Sequence, residues 1–218
     1  MLAILLFLSA SPVTGQSRLS VTATVAPTII RTNYNRTYLY PDSDGQVVEP
    51  VFVSGTRNTA GYLAGLGAQY SYAPGWSISA GLWYSQSTMR QLRLPAAGEG
   101  TTTVRSRTLR VPLLLNYQPL ARRLSPYVSL GLHLDFPFSS RVIVDRTGAD
   151  TQRLRLGTES GPVFHPMVGA GGRYQFNNRC ALIVQPVWAY NLGRFGGAQT
   201  YTSSYEVSLL AQLTYALP

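Results

Sequence analysis

The residues that could do chemistry in this sequence are ionisable and hydroxyl side chains in one short segment. His133 and Asp135 stand two residues apart, and Ser129 precedes His133 by four residues. A serine nucleophile, a histidine base and an orienting carboxylate perform acyl transfer or hydrolysis when all three lie within hydrogen-bond reach. In an extended strand four residues span roughly 13 Å, which is too far for proton transfer from Ser129 to His133. We therefore predict no catalytic residues and no enzymatic activity.

The elements that must position these side chains are strands, and the C-terminal segment shows this most clearly. Every second residue from Tyr205 to Leu217 is apolar, whereas most of the residues between them are polar. Successive side chains of a strand point to opposite faces, so this period of two predicts one apolar face and one polar face. The same alternation occurs at 62–72 and 76–85, on either side of Ala73-Pro74-Gly75, and predicts a hairpin.

The whole chain contains eight such segments, and the connections between them alternate in length. We predict strands at about 18–30, 60–72, 76–89, 102–117, 126–137, 162–176, 180–192 and 202–217. Short connections (Ala73 to Gly75, Gln118 to Ser125, Asn177 to Arg179) alternate with long ones (31–59, 90–101, 138–161, 193–201). Outer-membrane barrels have short periplasmic turns and longer extracellular loops. The sequence thus predicts an all-β, eight-stranded antiparallel up-and-down transmembrane β-barrel.

The composition also favours a membrane barrel. Charged residues make up 12 % of the 218 residues, about half the roughly 25 % of soluble domains. The 14 Tyr and 3 Trp suit two aromatic girdles at the membrane interfaces. All 18 basic residues are Arg, against 9 acidic residues, but they are scattered and form no nucleic-acid motif. We expect contact with outer-membrane lipids and lipopolysaccharide phosphates, which Arg binds bidentately, and no nucleic acid.

Polar and ionisable side chains at alternate strand positions are predicted to face the barrel interior. They are Arg110, His133, Asp135, His165, Arg173, Gln185, Asn191 and Glu206. Counting back from the turn between 117 and 126 places Arg110 near Asp135 and His133, so we predict an interior Arg110–Asp135 ion pair. Eight strands leave room only for side chains, and buried charges must be paired, so this lumenal cluster is interpreted as structural. With a single cysteine, Cys180, and two histidines, no cofactor or metal site is predicted.

The amino end predicts export. Leu2 to Ala10 form an apolar run, followed by small residues at Val13 and Gly15 that fit a signal-peptidase site before Gln16. The run is shorter than the roughly 20 residues that a membrane-spanning helix needs. We predict a signal peptide at 1–15 and a barrel domain at 16–218.

One strand pair resembles a known family. The segment Leu109-Arg110-Val111-Pro112-Leu113-Leu114-Leu115-Asn116-Tyr117 and, after a turn, Pro126-Tyr127-Val128-Ser129-Leu130-Gly131 resemble the PorT-like outer-membrane β-barrel domain family. Arg110 and Asn116 stand where this family often has Glu and Lys. The glycine-rich run 169–174 also looks like the family's sixth strand. The resemblance implies a barrel fold in the outer membrane of a Gram-negative bacterium, and some members of the family assist secretion.

These features leave several functions open. We expect a non-enzymatic barrel with a structural, adhesive or transport- and secretion-accessory role, and contact with the barrel-assembly or secretion machinery stays open. The alternatives are a narrow pore for small solutes, a barrel enzyme that modifies lipid A through His133 or His165, and a soluble lipocalin-like barrel.

Overall fold

The computed structural model describes most of the chain. The described residues are 19–39, 41–42, 51–92, 100–119, 122–146, 148, 150–156, 161–193 and 201–218. The predicted signal peptide at 1–15 lies outside them. The strands are β1 (Leu19–Leu39), β2 (Pro41–Asp42), β3 (Val51–Ala73), β4 (Trp76–Leu92), β5 (Gly100–Tyr117), β6 (Leu124–Arg146), β7 (Gln152–Leu156), β8 (Val163–Gln175), β9 (Cys180–Tyr190) and β10 (Tyr201–Ala216). Among these residues, no helix is long and apolar enough to cross a bilayer.

Eight of the strands form a closed ring. Each pairs antiparallel with its neighbours in the order β1, β3, β4, β5, β6, β8, β9 and β10. The ring closes because β10 pairs with β1, for example at Val25 and Ala211. Closure leaves no ring strand with an unpaired edge, as a bilayer requires. The prediction of an eight-stranded antiparallel up-and-down barrel is confirmed.

Large apolar side chains cover the outer surface of the ring. Leu66 is 69 % exposed and Leu130 is 59 % exposed, and each lies on the outward face of its strand. Aromatic pairs lie at both ends of this apolar band: the Trp76 and Tyr117 rings are 4.5 Å apart near the short turns, and the Tyr62 and Tyr84 rings are 6.4 Å apart at the other end. This arrangement suits a surface in contact with lipid.

The strands extend further at the end with the long connections than the sequence analysis predicts. Much of the predicted loops 31–59 and 138–161 is strand, since β1 continues to Leu39, β3 begins at Val51 and β6 continues to Arg146. The short strand β7 pairs with the end of β6, and β2 pairs with β7. Inward-facing apolar residues stabilise these extensions. This cluster consists of Val53, Met89, Val104, Val142 and Val144, with Tyr34, Leu154 and Leu156 packed against it.

Candidate functional site

Arg110 is the centre of a charged cluster inside the barrel. Because it lies directly opposite Asp135 in the β5–β6 ladder, both side chains project into the lumen at the same level. The Arg110 Nε donates to Asp135 Oδ1 at 2.7 Å, and Nη2 donates to Oδ2 at 2.8 Å. The predicted Arg110–Asp135 ion pair is therefore present, with bidentate geometry.

The same guanidinium also binds Glu206, which lies on the far side of the barrel. Its Nη1 donates to Glu206 Oε1 at 2.7 Å, and Nη2 donates to Oε2 at 2.8 Å. In the ring, β5 and β10 are separated by three strands in either direction, so they face each other across the lumen. Ser208 Oγ donates a further hydrogen bond to Glu206 Oε1 at 2.9 Å. Arg110 thus spans the interior from one wall to the opposite one.

This cluster is shielded from water. The side chains of Arg110, Asp135 and Glu206 are 3 %, 9 % and 5 % exposed. A buried charge is tolerated only when it is paired and hydrogen-bonded, and the two carboxylates meet this requirement for the guanidinium. The arrangement holds three strands together and fills the lumen at its level.

The two histidines lie beside this cluster. His133 and His165 face each other in the β6–β8 ladder, and His165 Nδ1 is 3.7 Å from Asp135 Oδ2. The His133 ring packs against Trp83 edge-on, with 5.5 Å between ring centroids. Within the described residues, neither nitrogen of His133 has a hydrogen-bond partner. Both imidazoles face inward, away from the lipid-facing surface.

Arg173 does not join the cluster, contrary to the grouping in the sequence analysis. It lies eight residues from His165 on β8, roughly 26 Å further along the strand, near the short turns. Its Nη1 donates to Gln118 Oε1 at 2.6 Å. Alternation identifies residues that face the lumen but not their depth along it, so it does not separate Arg173 from the others.

Ser129 belongs to a second polar layer and does not contact His133. Its Oγ lies 2.9 Å from Asn116 Oδ1 and 3.2 Å from Gln185 Oε1, two acceptors that its single proton can serve one at a time. Asn191 directly follows β9 and accepts a hydrogen bond from the Tyr201 hydroxyl at 2.8 Å. Across the described part of the chain, no group of three or more His, Cys, Asp or Glu residues could hold a metal ion.

The lumen also contains an apolar cluster that the sequence analysis did not predict. It consists of Ala26, Leu63, Trp83, Leu114, Met167, Val187, Ala189 and Leu210. Trp83 is 2 % exposed and lies beside Arg110 in the β4–β5 ladder. Alternation places these residues on one face of each strand. In β9 it does not show which face is inward, because both faces carry apolar residues; Ile183 and Val187 point inward.

Comparison with known proteins gives one family match. A family model described as "Outer membrane protein beta-barrel domain" matches residues 14–155, more than half of the chain. Among curated proteins no match to the chain was found.

Several solved structures share the fold at low sequence identity. Neisserial surface protein A is 15 % identical with a TM-score of 0.48, covering 93 % of this chain and 99 % of that one. OprG from Pseudomonas aeruginosa is 13 % identical with a TM-score of 0.46, covering 93 % and 98 %. The outer membrane enzyme PagL is 12 % identical with a TM-score of 0.40, covering 88 % and 97 %. These structures are similar to the chain in fold alone.

Proposed function

Because the chain belongs to the outer membrane protein beta-barrel domain family, we propose that it is a closed, non-conducting and non-enzymatic barrel that presents a rigid binding surface outside the cell. Its location is the bacterial outer membrane, as the sequence analysis predicted. Within the family we propose the PorT-like group, since the segments 109–117 and 126–131 that carry this resemblance lie on the paired strands β5 and β6.

The observation that carries the non-conducting part of the proposal is the span of Arg110 across the lumen. The hydrogen bonds of Arg110 to its two carboxylates bridge the lumen at this level, and all four are 2.7 or 2.8 Å long. Trp83 and Leu114 pack in the adjacent apolar cluster. An eight-stranded barrel has an interior just wide enough for side chains to fill. This filling favours a structural core over a pore.

The surface-binding part rests on the extended strands. β3 and β6 each contain 23 residues, although roughly 9 to 11 tilted residues suffice to cross a bilayer. With short turns in the periplasm, the excess length projects on the extracellular side. The inner apolar cluster around Val53 and Val142 keeps this projecting sheet packed, and β7 widens it. A rigid projecting sheet suits adhesion, or docking by a secretion partner.

The non-enzymatic part is supported by the placement of the candidate residues. His133 and His165 both face the filled lumen, where membrane lipid has no access. The hydrogen-bond partners of the Ser129 hydroxyl are the side-chain oxygens of Asn116 and Gln185, and neither is a histidine base.

Planar-bilayer recordings test the proposed function. The purified, refolded protein is expected to produce no conductance steps at protein levels at which a general-diffusion porin in the same bilayer conducts. Stable single-channel openings would contradict a filled lumen and favour the narrow pore.

A further inference from the structure

The lumen holds a second arginine, half-buried, whose surroundings differ from those of Arg110. Arg173 lines a cavity of about 130 Å³ at the periplasmic end, where the short turns lie. The cavity walls come from most of the ring and carry mainly hydroxyl and amide groups, among them Ser20, Gln69, Ser77 and Tyr127. A site of this size holds several waters or one small oxyanion.

Among the described residues, no carboxylate side chain contacts Arg173. Arg110 has two carboxylate partners, whereas the only hydrogen bond recorded for the Arg173 side chain within the described residues goes to the neutral amide of Gln118. The described strand ends and turns around this mouth, at 19–25, 70–79, 117–119, 122–129, 171–181 and 212–218, include Arg122, Arg123 and Arg179 but no Asp or Glu side chain. A half-buried cation with no anionic partner has lost part of its hydration without gaining a counter-charge, and a bound anion would provide that charge.

A second observation points to a ligand in the same cavity. Thr214 lines the cavity and is only 4 % exposed, yet its Oγ1 has no hydrogen-bond partner in the described part of the chain. Buried hydroxyls are nearly always hydrogen-bonded. The Oγ1 atom is itself fully buried, so a rotation of the Thr214 side chain about χ1 must bring the hydroxyl to an acceptor in the cavity. Gln69 Nε2 donates to Ser77 Oγ at 2.7 Å and so holds part of the opposite wall in position.

We infer that this periplasmic cavity is a binding site for a tetrahedral oxyanion of the phosphate type, held by the Arg173 guanidinium and the Thr214 hydroxyl. The guanidinium fork matches two phosphate oxygens, while hydroxyl donors from other strands surround the remaining ones. A phosphate group offers more acceptor oxygens than the two of a carboxylate, so it can use more of these donors. The phosphate can be free in the periplasm or belong to a phospholipid headgroup, since both present the same chemistry. The inference does not depend on whether the barrel conducts.

The test measures phosphate binding to the refolded protein in a neutral detergent. Inorganic phosphate is expected to raise the unfolding temperature above that in sodium chloride of equal ionic strength, and acetate is expected to raise it less. Arg173→Gln should weaken phosphate binding roughly tenfold, since a charge-assisted hydrogen bond is lost. The matched control is Arg122→Gln, which removes the same charge from an exposed turn at the same end and should leave binding unchanged.

Thr214→Val separates ligand binding from folding. Because the hydroxyl is unpaired without a ligand, its removal should not lower the unfolding temperature in chloride, yet phosphate binding should weaken several-fold. A parallel series with phosphatidylglycerol in mixed micelles distinguishes the lipid headgroup from free phosphate. A rise in unfolding temperature that depends on Arg173, in either series, supports the site. The inference is overturned if neither phosphate source shifts the unfolding temperature beyond chloride, if acetate acts as strongly as phosphate, or if the two arginine variants lose binding equally.

Discussion

Arg110→Met is expected to lower the free energy of unfolding by about 3 to 5 kcal/mol, because it leaves two buried carboxylates without their cation. Asp135 and Glu206 are both buried, and each loses two hydrogen bonds of 2.7 or 2.8 Å to the guanidinium. The remaining charges repel each other inside the barrel, away from water. Urea titration of the refolded protein in lipid vesicles, followed by heat-modifiable migration on a gel, measures the change.

Two controls show whether the loss comes from the unpaired carboxylates. Arg31→Met removes an exposed arginine from the outward face of β1, and its effect should stay within about 0.5 kcal/mol. Adding Asp135→Asn and Glu206→Gln to Arg110→Met removes the two unpaired negative charges and should recover a large part of the lost stability. If Arg110→Met alone proves as mild as Arg31→Met, the cluster does not hold the interior together.

Leu66→Arg is expected to destabilise the protein by roughly 2 to 4 kcal/mol in lipid vesicles. Leu66 is 69 % exposed, which in water would make an arginine harmless at this position. Its exposed side chain lies in the apolar band between the two aromatic girdles, so the guanidinium would enter hydrocarbon. The same urea titration measures the loss.

Leu92→Arg provides the matched control for this lipid-facing substitution. Leu92 is 84 % exposed but lies at the end of β4, beyond the apolar band on the extracellular side. Its substitution should change stability by roughly 0 to 1 kcal/mol. Equal and small effects of the two variants would mean that the apolar band does not face lipid.

The sequence sufficed for the barrel but not for the full length of its strands. Within the membrane, apolar residues such as Leu66 point outward. Beyond the membrane the rule reverses, because Val142 and Val144 point inward while Arg141 faces water. A search for strands with an apolar outer face therefore assigns the segment around Val142 and Val144 to a loop. The inner valines at alternate positions are the signal that could have found it.

The candidate site was predictable only where its partners are local in the sheet. Arg110 and Asp135 lie on strands that one short turn joins, so counting residues from the turn pairs them. Glu206 is 96 residues away from Arg110, and its contact depends on β10 standing opposite β5 in a ring of eight. The depth of Arg173 depends likewise on the register of β8 against β6. Neither the contact between Arg110 and Glu206 nor the depth of Arg173 can be obtained from alternation alone.

The central claim is that one face of each strand contacts lipid and the other faces a filled lumen. Single cysteines along β10, introduced in a Cys180→Ser background and labelled with a fluorophore, test it directly with a quencher carried on lipid chains. We predict strong quenching at Val207, Leu209 and Leu213 and weak quenching at Ser208, Leu210 and Gln212, with a period of two. Uniform quenching along the strand, or labelled protein that stays in water and is not quenched at any position, would contradict the account.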